Sequence, residues 1–142
     1  MLEALSTPRN RTLTFTFLAI SGAAAIAAGL VGIADNPPGI FLAFAAAAFF
    51  VLAFVHPWRS VRSYGLLLSA SVVGLVVLAV LHNVFEGIGS LPQVPALFRA
   101  LLQGLGVAAF LIAVLVCPPA IVVSIIGAIV MGIRGPRRPV AG

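Results

Sequence analysis

Lysine is absent from this chain, and its only acidic side chains are Glu3, Asp35 and Glu86. Charged residues fill 8% of the 142 positions, against about 25% in ordinary soluble domains. A chain so poor in charge cannot cover a water-facing surface, which excludes a conventional soluble domain. The net charge is +5, yet a nucleic-acid reader is excluded too. Such proteins gather basic residues on one folded face, often among aromatics. The eight basic residues here are all arginine and stand outside apolar runs or at their ends.

Cysteine occurs once, as Cys117, within an apolar run. That excludes an intramolecular disulfide and a cysteine metal cluster, and Cys117 reads as a small inert hydrophobe. The two histidines, His56 and His82, are too few for a structural metal site of three or four ligands. One axial histidine on a haem stays open. No Ser-His-acid arrangement and no nucleotide motif is present, and Gly87-x-Gly89 lacks the strand-to-helix context that would give it meaning. No enzyme activity and no cofactor are therefore expected.

What the chain has is apolar length. Hydrophobic residues make up 62% of it and the mean hydropathy is +1.23. They fall in runs near the ~20 residues that cross a bilayer as a helix. Four runs stand out, at about 13–33, 40–56, 64–85 and 104–133. The expectation is an all-α integral membrane protein: one transmembrane domain over residues 1–142, a four-transmembrane-helix bundle with a proline-broken fourth helix.

The first run, Leu13 to Ile33, carries no charge. Arg9 and Arg11 precede it and Gly32-Ile33-Ala34 resembles a small-residue cleavage site. The run is longer than the 7–15 residues of a signal-peptide core, so a retained helix is expected. Ser21, Ala25 and Gly29 form one row of small residues, and Ala24, Ala28 and Gly32 another. Such rows let helix backbones approach closely in lipid. Asp35-Asn36-Pro37-Pro38-Gly39 reads as a turn, since two prolines and a glycine stop one helix and open the next. Asp35 there reads as a cap or a solvated loop charge.

The second run mixes alanine with phenylalanine and closes at His56-Pro57-Trp58. Trp58 and Tyr64 bracket a loop holding Arg59 and Arg62, and amphipathic aromatics favour the headgroup layer. The third run ends in His82, Asn83 and Glu86, followed by a loop over 87–95. Residues 95–103 read as an amphipathic segment lying in the interface. The fourth run is 30 residues and holds Pro118 and Pro119 near its middle. Proline removes a backbone donor and crowds the preceding turn, so a kink or hinge is expected there. Splitting this region into spans at 96–116 and 119–133 leaves the second very short and sends the arginine tail, 134–142, to the other side.

With four spans, Arg9, Arg11, Arg59, Arg62, Arg134, Arg137 and Arg138 share one side and Arg99 lies opposite. The positive-inside rule then puts both termini in the cytoplasm of a plasma-membrane protein.

The one polar cluster in the apolar region is His82, Asn83 and Glu86. His82 and Glu86 are four apart, hence on one helix face. An imidazole beside a carboxylate can relay protons or hold a cation. The competing readings are an idle solvated helix end and a polar contact to another subunit or headgroup. The chain is accordingly expected to be a non-catalytic structural or accessory subunit. Its expected partners are the lipid bilayer and either other membrane subunits or a second copy of itself. The alternative is a small transporter or channel for ions or protons, using His82 and Glu86 at its outer mouth and Pro118-Pro119 as the hinge.

Overall fold

A computed structural model describes residues 2–33 and 36–134. Asp35, Arg137 and Arg138 lie outside the described residues. Every regular element described is helical, and four helices are long and apolar enough to cross a membrane.

The chain opens with one turn, α1 (Leu2–Leu5), and then α2 (Pro8–Val31). The second helix starts ahead of the apolar run because its start signals are polar. The Asn10 N–H donates to the Thr7 side chain at 3.2 Å, and Pro8 sits in the first turn, where its missing N–H costs nothing. Thr14 is buried. Its hydroxyl lies 2.9 Å from the Ala4 carbonyl and 3.1 Å from that of Ala53, so it ties α1 and α2 to the end of α3 (Pro37–Val55).

Helix α2 ends at Gly32, whose φ of 84° is open to glycine and costly for other residues. Gly39 packs so closely here that a Cβ would run into the Gly32 carbonyl. Further along, the Ser21 hydroxyl donates to the Ala46 carbonyl at 2.8 Å, and Phe17 stacks on Phe49 at 6.2 Å. Thus α2 and α3 form an antiparallel hairpin zipped by small residues.

Helix α4 runs Val61–Gly89, further than the expected loop at 87–95 allows. Isolated glycine weakens a helix by about 1 kcal/mol, but packing overrides that here. Gly89 is buried, with Leu102, Gln103 and the Arg99 carbonyl within 3.5–3.8 Å of where its Cβ would stand. The last helix is continuous over Ala96–Arg134, 39 residues long. It comprises α5 (Ala96–Leu111), a π-helical turn (Ile112–Val116) and α6 (Cys117–Arg134). Of the amphipathic start expected at 95–103, residues 96–103 are the first turns of this helix and run into the span without a break.

Pro118 and Pro119 lie inside α6 and the helix passes through them. The departure from α geometry comes one turn earlier. There the Cys117 N–H donates to the Ile112 carbonyl, five residues back instead of four. The wider turn relieves the clash between a proline ring and the carbonyl four residues before it.

The long helices lie in a row. Helix α2 pairs with α3, α3 meets the last helix, and the last helix pairs with α4. Among the described residues α2 and α4 do not touch. A small core of Val55, Tyr64 and Val123, with Trp58 and Met131 against it, joins the two hairpins at one end. The Tyr64 hydroxyl donates to the Val55 carbonyl at 3.1 Å, and the Trp58 ring meets that of Tyr64 edge-on at 5.6 Å. This end gathers the start of α2, the 56–60 turn and the end of α6. It therefore carries Arg9, Arg11, Arg59, Arg62 and Arg134, while Arg99 is at the far end.

Candidate functional site

Four turns of small and branched apolar residues lead α4 to His82. Its ring points across to the last helix rather than outward. The His82 Nδ1 lies 3.0 Å from the Gly106 carbonyl, and the ring tilts over Phe110 at 5.0 Å. Gly106 is buried at this crossing, with the His82 Nδ1 and the Phe85 Cβ each 3.6 Å from where its Cβ would stand. A carbonyl only accepts, so Nδ1 carries a hydrogen and donates it. That fixes the tautomer of a neutral ring and leaves Nε2 as the exchangeable position.

Nε2 faces Glu86 Oε2 at 3.4 Å. The contact is longer than the 2.7–2.9 Å of a tight charge-assisted bond. Glu86 is 70% exposed against 25% for His82, so the carboxylate is a loose, water-facing partner. When Nε2 is protonated, the ring bridges a backbone carbonyl on one helix and a carboxylate on its own. Asn83 does not join them. Its amide donates to the Ala79 carbonyl one turn back, at 2.8 Å. Of the three residues singled out in the sequence, two converge and the third serves its own helix.

Arg99 lies at the same end. Its Nη2 reaches the Val94 carbonyl at 3.3 Å and that of Leu91 at 3.5 Å, closing the turn between α4 and α5. Its buried Nε has no partner. His56 is at the opposite end of the molecule, its Nδ1 3.1 Å from the Ala53 carbonyl and its ring edge-on to Phe17. Among the described residues no three His, Cys, Asp or Glu side chains come together.

Gly106 and Phe110 are the members of the His82 site that sequence reasoning missed. The available signal was a glycine four residues before an aromatic on the helix that follows a tight turn. That spacing puts a bare backbone and a ring on one face. No protein-family model, curated protein or solved structure matches the chain.

Chemically, the site is a hydrogen-bonded latch between α4 and α5 whose second ring nitrogen faces a water-exposed carboxylate. The Pro118-Pro119 segment supplies a second feature. With two consecutive residues lacking N–H groups and Cys117 bonded to Ile112, the Val114 carbonyl has no main-chain donor at the α position or one residue beyond it.

Proposed function

We propose that the chain is a non-catalytic accessory subunit of a membrane complex, inserted by four spans in the plasma membrane with both termini cytoplasmic. The observation that carries this reading is a flank of small residues beside the seam of α2 and α3. Gly22 and Gly29 are exposed there, and a Cβ at either would meet nothing within 4 Å. Ala25, Gly29 and Gly32 also line a groove of about 610 Å³, shared with Ala43 and Ala46 of α3 and with Leu115 of the last helix. In lipid, apolar side chains gain nothing by leaving the tails, so helices associate where small residues permit close backbone contact. A glycine- and alanine-lined groove along this seam fits a further helix better than it fits acyl chains. The clustering of Arg9, Arg11, Arg59, Arg62 and Arg134 at one end supports the orientation.

The test is site-specific photocrosslinking in native membranes from position 22 and position 29, with position 73 on the exposed valine face of α4 as the control. The reading expects discrete adducts from the α2 positions, to another chain or to a second copy. Equal, diffuse labelling from all three would remove it.

A second reading, a small ion or proton transporter or channel, draws on the paired His82 and Glu86 and on the π turn beside Pro118. It requires that Glu86→Gln or Pro119→Ala changes a flux in proteoliposomes. Unchanged flux in both variants, or no flux in the parent protein, would eliminate it.

A further inference from the structure

At the arginine-rich end, a polar cavity of about 530 Å³ opens where the short α1 folds beneath the 56–60 turn. Its walls include Glu3, Asn10, Trp58, Arg59, Ser60 and Ser63. The volume lies within the usual range of small-molecule pockets, about 300–1,000 Å³. In a chain that is 8% charged, a cavity holding one acid and one base is unusual. The two charges do not neutralise one another. Among the described residues neither Glu3 nor Arg59 forms an ion pair. Ser60 precedes the first turn of α4 and its hydroxyl makes no capping bond there.

The cavity thus has two unlike halves. The 56–60 turn and the start of α4 contribute Arg59, Ser60 and Ser63, a donor set suited to phosphate oxygens. Helix α1 contributes the Glu3 carboxylate, an acceptor suited to a cation. The Ser6 hydroxyl and the Asn10 amide already donate to the Glu3 backbone carbonyl, at 2.9 Å and 3.0 Å. They hold α1 in place and leave the carboxylate free. Trp58 forms part of the wall, and its ring belongs at headgroup depth.

We propose that this cavity binds the zwitterionic headgroup of a membrane phospholipid bearing a primary amine. Its phosphate sits at Arg59, Ser60 and Ser63 and its ammonium at Glu3, as in a phosphatidylethanolamine. An anionic headgroup without an amine would bring its charge toward Glu3 unrelieved. A choline headgroup carries positive charge but no N–H to donate to the carboxylate. The inference rests on the membrane insertion proposed above, which is tested apart from it by whether the chain leaves the membrane only with detergent.

The experiment is native mass spectrometry of the full chain in mild detergent. Equal amounts of dioleoyl phosphatidylethanolamine, phosphatidylcholine and phosphatidylglycerol are added. The expected result is preferential retention of the ethanolamine lipid. Arg59→Gln weakens retention of all three lipids, whereas Glu3→Gln lowers the ethanolamine-over-choline preference by about threefold, as the loss of a partly exposed charge pair does. Millimolar free phosphoethanolamine leaves the lipid in place. Three results would overturn the proposal: equal or stronger retention of the glycerol lipid, an ethanolamine preference untouched by Glu3→Gln, and displacement by free phosphoethanolamine. The ranking in the parent chain needs no variant, so a variant that fails to fold does not block the test.

Discussion

Two side chains settle how the hairpin of α4 and the last helix is held. At one end the His82 ring spans the helix pair to the Gly106 carbonyl. At the other end Tyr64 is buried against Gly127 and donates to the Val55 carbonyl. A methyl group at position 127 would overlap the Tyr64 ring, and that ring cannot move without losing its hydrogen bond. Gly127→Ala is therefore expected to lower stability by about 1–3 kcal/mol, the range for overpacking a fitted contact. Thermal unfolding in detergent reads the loss. Adding Tyr64→Ala to Gly127→Ala should cost less than the two single changes summed, because truncating the ring removes the overlap that the extra methyl group creates; strict additivity would refute the contact. For His82, substitution by phenylalanine keeps a ring over Phe110 but leaves the Gly106 carbonyl without its donor. The expected cost is about 0.6–2 kcal/mol, as for interhelical hydrogen bonds in membrane proteins. Asn83→Ala should change stability much less, since the Asn83 amide bonds only to its own helix. An equal loss in both variants would contradict the division of roles described here.

At the scale of elements, the last helix carries the most information. Pro118 is half-buried and lies just after the π turn. Pro118→Ala would supply an N–H within reach of the Val114 carbonyl and relieve ring crowding. Its expected effect is a rise in stability, bounded by the ~3 kcal/mol that an interior proline costs a helix. A fall in the unfolding temperature would mean that packing, and not the prolines, holds the π turn. The same helix shows what a sequence reading can and cannot reach. Runs such as Leu13 to Ile33 made four long apolar helices legible, because length and absence of charge act along the chain. The ends were less legible. Pro8 to Thr12 are polar yet helical, because Thr7 starts the helix regardless of hydropathy. Gly87 and Gly89 read as loop, yet they stay helical because Gly89 is packed between α4 and α5. The pairing of His82 with Gly106 was marked only by the Gly106 and Phe110 spacing: the accepting carbonyl itself leaves no mark in the sequence, and the partners are 24 residues apart.

For the whole molecule, an open row is the feature to explain. Among the described residues helix α2 meets α1 and α3 alone, and α4 exposes a valine face that includes Val73 at 60% and Val76 at 59%. Valine suits lipid tails, whereas the small-residue groove beside the α2–α3 seam leaves space that tails fill poorly. The two faces differ, and the protein partner belongs to the groove. Orientation belongs to the same scale. A reporter fused after Arg134 should be active in the cytoplasm and silent outside, since the basic residues cluster at that end. The reverse would invert the arrangement without altering the packing argument. The most direct test of the subunit reading is native mass spectrometry of the chain purified gently from its own membranes. The account predicts an assembly heavier than the 14.6 kDa monomer, containing another membrane chain or a second copy. Dissociation of that assembly on introducing leucine at Gly22 or Gly29 is predicted as well. A bare 14.6 kDa species, stable and lipid-bound with no partner, would contradict it.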